Sequence, residues 1–189
     1  MLSRSRRVAR EGALRALYEI EVGKSAVRDA IESTIYVQEL SHDLADYMER
    51  LVLGVNEHRR QLDALIAKYL KDYDFSRLAT VDRNLLRIAT FEILHVPEMP
   101  PAVSINEAIE IAKRYSTFES GKFINGVLGR LLLDTPKANW DPTQAPAEQS
   151  EEIVRSPEPV EVEEIDVAPE DESFRAASRI GGWKLKADD

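Results

Sequence analysis

Apolar side chains recur at three- and four-residue spacing through most of the first 133 residues, the period of an α-helix that buries one face. The first such stretch runs from Ser3 to Val22, where apolar side chains follow a run of arginines. No stretch shows the sustained two-residue alternation, bounded by turn residues, that a half-buried strand would give. The pattern therefore predicts an all-α protein.

Two further helical regions are predicted before residue 75. Val27 to Ser33 has the pattern of a short helix with Ser25 as its N-cap, and residues 35–40 are ambiguous. A long apolar stripe follows from Ser41 to Leu70. Because Gly54 to Arg59 brings a glycine and a charged run into that stripe, we expect two helices there rather than one.

Capping residues predict where the next helices begin. Ser76 or Thr80 is expected to cap a helix that runs through Leu94. Ser104 and Glu107 have the spacing of a capping box, in which each side chain accepts a hydrogen bond from the other residue's backbone N–H. That box predicts that the following helix begins at Ser104.

The last predicted helix carries two glycines. Ser120 is expected to cap it, and its apolar residues continue to Leu133. Gly126 and Gly129 lower helix propensity, which is explained if another helix crosses closely at those positions.

Composition changes sharply at Pro136. The segment 136–189 holds 14 acidic and 6 basic residues, several prolines and few aromatics, so we expect a disordered acidic tail after a helical domain at 1–135. The end of this tail, 174–186, is basic and aromatic, and is interpreted as either a loose end or a docking motif.

The formal charge of −9 belongs almost entirely to that tail, because residues 136–189 carry −8 and residues 1–135 carry −1. Within the near-neutral domain, the first 15 residues carry +4 from five arginines and one glutamate. Arginine at a helix N-terminus opposes the helix dipole, and its planar fork binds phosphate. The first helix therefore indicates contact with a polyanion.

Several kinds of chemistry are excluded. With no cysteine there is no disulfide, thiolate metal site or cysteine nucleophile, and the three histidines lack ligand spacing. Gly121 and Lys122 resemble the end of a P-loop, but the earlier glycine and the following Ser or Thr are missing. The sequence shows no membrane span and no signal peptide. We expect a cytoplasmic protein that is not an enzyme and holds no metal or cofactor.

Three segments together resemble the NusB family of bacterial transcription antitermination factors. They are SRRVAREGALRALYE at 5–19, LATVDRNLLRIATFEIL at 78–94, and VSINEAIEIAKRYS with FESGKFINGVLGRL at 103–131. The resemblance covers about residues 3–133 and leaves the tail outside. It implies a fold of two packed three-helix bundles.

The resemblance also implies a function and its residues. Family members bind a boxA element in nascent RNA, notably ribosomal RNA leaders, together with NusE, a small-subunit ribosomal protein. The pair joins the elongating RNA polymerase complex with other Nus factors. The RNA-binding residues implied by matching positions are Arg6, Arg7 and Arg10, with Arg4 as an extra, and Glu119, Lys122 and Phe123 before the last helix. The residues implied for the NusE-facing surface are Tyr18, Asp82 and Glu92.

Two alternatives stay open at this point. The chain is also consistent with a helical protein-interaction module that forms a homodimer through the first helix, hides its arginines and binds little specific RNA. The other alternative, an RNA methyltransferase fusion, would need a second, Rossmann-like domain and a catalytic cysteine, and the sequence shows neither. The acidic residues of 148–172 are expected to compete with RNA for the basic site, most strongly at low salt.

Overall fold

Six α-helices build the part of the chain that the computed structural model describes, namely residues 2–71 and 73–140 without the side chains of 2–5 and 118. The helices are α1 (Leu2–Glu21), α2 (Val27–Gln38), α3 (His42–Ala67), α4 (Thr80–His95), α5 (Pro101–Tyr115) and α6 (Phe118–Leu133). Two short 3-10 helices lie at Phe75–Arg77 and Pro136–Asn139. The all-α prediction is confirmed for these residues. Most of the predicted tail, including 174–186, lies outside them.

The helices form two groups of three. α1, α2 and α3 pack together, and α4, α5 and α6 form the second group. α4 also contacts α1 and α3, so the two bundles share one hydrophobic core. The inner face of α1 supplies Ala9, Ala13, Leu14 and Leu17 to that core. The predicted pair of three-helix bundles is therefore confirmed.

α4 is buried on nearly all sides, and it buries polar side chains as well as apolar ones. Asp82, Asn84, Arg87, Thr90 and Glu92 are each less than 9% exposed. A buried polar or charged group is costly unless it is hydrogen-bonded or paired. Their neighbours on α1, α3 and α6 therefore include polar partners, and these partners define the sites described below.

α3 is one continuous helix, so the predicted break near Gly54 to Arg59 is wrong. A Cβ at Gly54 would lie 2.0 Å from Cζ of Phe91, which shows that the Phe91 ring packs directly on the α3 backbone. Val52 before Gly54 is 0% exposed, Val55 and Leu62 after it are 1% exposed, and the three continue the buried stripe. Gly54 is thus required by a helix-helix contact, and the charged run covers the outer face of the helix.

The capping box predicted at Ser104 and Glu107 is also wrong. α5 begins earlier, with Pro100 as the N-cap and Pro101 in its first turn, where proline is well tolerated. Ser104 is buried inside the helix, and the Glu107 side chain pairs with an arginine of α1. The Glu107 carboxylate therefore binds Arg7 rather than the backbone N–H that the local pattern predicted.

Three other predicted caps are displaced. α2 begins after Ala26 rather than Ser25 and continues through the ambiguous segment to Gln38. α4 begins after Ala79, so neither Ser76 nor Thr80 is its N-cap. α6 begins after Thr117. The Thr117 side chain accepts from the Ser120 backbone N–H, and the Ser120 hydroxyl accepts from the Thr117 backbone N–H. Ser120 is therefore the third residue of the helix.

The glycines of α6 do not mark a helix crossing. A Cβ built at Gly126 or Gly129 would meet no atom within 4 Å among the described residues. The prediction that another helix passes closely at these positions is therefore wrong.

The folded chain extends through Trp140, beyond the domain boundary predicted at residue 135. Lys137 Nζ donates to the backbone oxygens of Val96, at 2.6 Å, and Met99, at 2.7 Å. These bonds fasten the 3-10 helix at Pro136–Asn139 to the segment between α4 and α5.

Candidate nucleic-acid interface

The first turns of α1 present the arginines that the sequence singled out. Arg6 and Arg7 are partly exposed, and the Arg4 side chain lies outside the described atoms. Arg7 forms a two-bonded pair with Glu107 of α5, with Nε to Oε2 and Nη2 to Oε1 both at 2.7 Å. The hydrogen bond to Glu107 outweighs burial and raises the pKa of Arg7. The Arg7 side chain remains 34% exposed, so it is both an anchor and a surface cation.

Arg10 does not reach the surface. It is 1% exposed, its Nε donates to Glu92 Oε1 at 2.9 Å, and its Nη2 donates to Met99 Sδ at 3.3 Å. Burial alone would lower the pKa of Arg10, but the Glu92 carboxylate raises it above the usual range, so the guanidinium stays charged. Arg10 and Glu92 were predicted as contacts with RNA and NusE, and here they are instead partners of each other inside the protein.

Tyr47 of α3 completes this buried group, and sequence reasoning missed it. Its hydroxyl donates to Glu92, and burial, reinforced by that carboxylate, raises the pKa of Tyr47. The Arg6 guanidinium lies 5.4 Å from the centre of the Tyr47 ring, within cation-π range. In the sequence Tyr47 is one apolar position of a helical stripe, so only the fold reveals that it connects the arginines of α1 to α4.

The end of α5 adds cations beside α1. Arg114 Nη1 donates to Glu11 of α1 at 3.0 Å, its side chain is 66% exposed, and its guanidinium lies 5.1 Å from the Tyr115 ring centre. Burial, with the nearby Glu11 carboxylate, raises the pKa of Tyr115 to about 12. Lys113 is also exposed and pairs with Glu110 at 2.7 Å. These residues lie in the quoted segment IAKRYS, but no spacing rule singled them out.

The predicted residues at the start of α6 lie at the surface to different degrees. The side chains of Glu119 and Lys122 are 76% and 66% exposed and pair at 3.3 Å. Phe123 is partly buried and packs against the core. Its ring centre lies 6.0 Å from that of Tyr73, at an interplanar angle of 52°. Lys122 is therefore exposed, and the half-buried Phe123 ring has Tyr73 as a neighbour that the sequence did not predict.

The three residues predicted for partner binding do not form one exposed patch. Tyr18 is half-buried, and burial raises its pKa. Asp82 is 8% exposed and its Oδ2 accepts from Ser120 Oγ at 2.8 Å, which joins α4 to α6. Glu92 is fully buried with Arg10. Of the three, Tyr18 alone is more than 9% exposed.

A second ionic cluster lies at the other end of α1. Glu21 accepts from Arg83 and, at 2.7 Å, from Arg87, while Arg87 also forms two bonds with Asp63 of α3 at 2.6 and 2.8 Å. Although burial would raise it, the guanidinium groups of Arg87 and Arg83 hold the pKa of Glu21 below its usual range. This cluster joins α1, α3 and α4.

No helix among residues 2–71 and 73–140 is long and apolar enough to cross a bilayer. In the same ranges, no three His, Cys, Asp or Glu side chains gather where they could hold a metal ion.

The sequence matches the NusB family over residues 7–132. The chain belongs to the NusB family. Transcription antitermination protein NusB of Bacillus subtilis (strain 168) is 45% identical over 130 residues, which cover 68% of this chain and 95% of that protein. The protein of the same name from Myxococcus xanthus (strain DK1622) is 38% identical over 133 residues, covering 68% of this chain and 95% of its own.

Solved NusB structures share the fold. T. maritima NusB matches with a TM-score of 0.67 and 36% identity, over 71% of this chain and 96% of that one. A crystal structure of antitermination factors NusB and NusE in complex with dsRNA matches with a TM-score of 0.63 and 26% identity, over 68% of this chain and 96% of that one. The family match ends at residue 132, before the acidic tail.

Proposed function

We propose that this NusB-family chain is a transcription antitermination factor that binds boxA-type RNA of ribosomal RNA leaders together with NusE. The pair then joins elongating RNA polymerase and the other Nus factors. Its relatives carry the name of antitermination proteins, and a similar solved structure contains NusB, NusE and dsRNA. On this proposal the chain is a cytoplasmic RNA-binding protein and not an enzyme.

The observation that carries this proposal is a strip of exposed and partly exposed cations on α5 and on the helices α1 and α6 that pack against it. Arg7 is held by Glu107, and Arg114 is held by Glu11, which places two contacts between α1 and α5. Residues 107 and 114 are seven positions apart on α5, or about 10 Å at 1.5 Å per residue. On α6, Lys122 follows Gly121, where an added Cβ would lie 3.7 Å from Cγ of Lys113 on α5. Such a row suits a single-stranded phosphate backbone.

Pairing with acids does not remove these cations from RNA binding. Arg7 uses Nε and Nη2 for Glu107, and a guanidinium has five N–H donors in all. The remaining donors serve a phosphate while Glu107 fixes the side chain in place, which lowers the entropy lost on binding.

Some of the predicted residues are thus proposed to contact RNA or NusE, and others to hold the helices in position. Arg4, Arg6, Arg7, Glu119, Lys122 and Phe123 are the proposed RNA-binding residues. Arg10, which is buried with Glu92, is a positioning residue that holds α1 against α4. For NusE, Tyr18 is the proposed contact, because Asp82 and Glu92 bond within the chain.

The test is fluorescence anisotropy of a boxA RNA and a scrambled RNA of equal length, with and without NusE, across a salt series. The proposal predicts a preference for boxA that strengthens when NusE is present. Equal, weak binding to both RNAs at every condition would contradict it and favour the protein-interaction module, which a concentration-dependent dimer mass in size exclusion would support.

A further inference from the structure

Tyr73 presents an exposed aromatic ring next to Phe123. It lies between α3 and the first 3-10 helix, and it is 63% exposed. Its ring centre is 6.0 Å from that of Phe123, whose own ring is anchored against the hydrophobic core. One ring of the pair is therefore fixed by packing, and the other is open to solvent.

Tyr69 and Tyr115, unlike Tyr73, have side chains held by contacts within the fold. The Tyr69 hydroxyl donates to Asp134 Oδ2 at 2.9 Å, and its backbone oxygen accepts from Arg130 Nη2 at 2.7 Å. Tyr115 lies under the Arg114 guanidinium. A ring that stays 63% exposed contributes little by burial, so packing alone gives a weak reason for tyrosine at position 73.

Formal charge around the pair is balanced. In the sequence, residues 68–74 and 119–122 hold three cations and three acids, namely Lys68, Lys71, Lys122, Asp72, Asp74 and Glu119. Asp74 Oδ1 accepts from the backbone N–H and hydroxyl of Ser76, and Glu119 pairs with Lys122. Attraction for RNA at Tyr73 therefore comes from the ring rather than from net positive charge.

The interplanar angle of 52° leaves the two rings inclined rather than stacked on each other. A flat nucleobase could stack on the open face of Tyr73 while Phe123, anchored in the core, supports that ring, and Lys122, next to Phe123 in the sequence, would be the cation for a phosphate. Stacking on aromatic side chains is the usual way in which proteins hold unpaired bases.

We propose that Tyr73, supported by Phe123, is a stacking site for one unpaired base of the bound single-stranded RNA. This inference rests on the proposed function and adds a residue outside the arginine motif and the α6 start. It also assigns two kinds of binding to two neighbouring side chains, with stacking at Tyr73 and charge at Lys122.

The experiment compares Tyr73→Ala, Tyr73→Phe and Lys122→Ala in the full chain, with Tyr36→Ala as the matched control. Tyr36 is an 85% exposed tyrosine on α2, in the other bundle. Tyr73→Ala should weaken boxA RNA binding about tenfold without changing its salt dependence. Tyr73→Phe and Tyr36→Ala should bind as the wild type does, whereas Lys122→Ala should lower the salt dependence.

A fluorescent 2-aminopurine placed at successive boxA positions locates the base. One position should be quenched by the wild type and by Tyr73→Phe, but not by Tyr73→Ala. The stacking site is overturned if Tyr73→Ala keeps wild-type affinity and quenching while Lys122→Ala weakens binding, in which case the proposed function stands. A wild type that does not distinguish boxA from scrambled RNA overturns the proposed function, and the stacking site falls with it.

Discussion

The two ends of α1 carry ionic clusters of opposite arrangement. At the N-terminal end α1 contributes arginines, and α4 and α5 contribute Glu92 and Glu107. At the C-terminal end α1 contributes Glu21, and α4 contributes Arg83 and Arg87. The contacts require α1 and α4 to run antiparallel with complementary charge order. Both clusters therefore join the two bundles.

The clusters differ in what they leave exposed. The side chains of Arg83 and Arg87 are 13% and 3% exposed, so their charge is used within the protein. Arg7 is 34% exposed, and Arg6 is also partly exposed. An unfavourable interaction with the helix dipole does not distinguish the two clusters. The arginines lie at the positive N-terminus of α1, and Glu21 lies at its negative C-terminus. Exposure after folding, rather than position in the helix, distinguishes the binding cluster from the structural one.

The largest expected effect comes from breaking the buried pair at the N-terminal end. Glu92→Ala removes the hydrogen-bonded carboxylate of the buried Arg10 and leaves it the more distant Glu107, whose Oε2 lies 3.9 Å from Nη1, so it should lower the free energy of unfolding by about 3–5 kcal/mol. Urea denaturation followed by circular dichroism measures this. The control is Glu49→Ala, which breaks the exposed pair with Arg28 and should cost less than about 1 kcal/mol. Equal small losses in both variants would show that the buried pair does not join the bundles.

The C-terminal cluster should govern acid sensitivity instead. Because the folded pKa of Glu21 is lowered, its stabilising contribution is present above the usual value near 4.5 and is lost as pH falls through the lowered value. Glu21→Gln should therefore be less stable at neutral pH and lose less stability on acidification, with unchanged RNA affinity. Glu32→Gln, at an exposed position of α2, should keep the wild-type pH profile. A wild-type slope in the Glu21 variant would contradict this assignment.

The smallest effect is expected from the acidic tail. Lys137 binds the Met99 backbone oxygen, and Met99 Sδ contacts Arg10, so the chain passes close to the arginine end of α1 before residue 141. Changing the acids of 148–172 to amides should raise RNA affinity a few-fold at low salt and not at high salt. A tail with the same composition in shuffled order should behave as the wild type. Unchanged affinity of the amide variant at every salt concentration would exclude competition by the tail.

Local sequence pattern predicted most of the fold, and the errors arose where a contact with a residue far away in the sequence determines the structure. The period of the apolar residues located α1, α4 and α6 well. The break predicted in α3 was wrong because Gly54 accommodates Phe91 of another helix. The cap predicted at Ser104 and Glu107 was wrong because Glu107 pairs with Arg7, one hundred positions away. No single-segment pattern contains such information.

The candidate site was predictable as a region and less so residue by residue. Arg7 and Lys122 were identified and lie at the surface. Arg10 has the same sequence signal as Arg7, but one turn further along α1 the helix faces Glu92 and the core. Tyr73 was missed because a lone tyrosine between acids has no motif. Side-chain burial, which depends on the assembled bundles, separates these cases.

The most direct measurement is the salt dependence of boxA RNA affinity for two double variants that remove equal charge. Arg114→Gln with Lys122→Gln removes two cations of the exposed strip, whereas Arg28→Gln with Arg59→Gln removes exposed and partly exposed arginines from α2 and α3. We expect the first variant to reduce the salt slope by more than about one and to lose the preference for boxA, while the second keeps both. Equal losses in the two variants would mean that RNA is attracted by overall charge, and would contradict a specific interface along α1, α5 and α6.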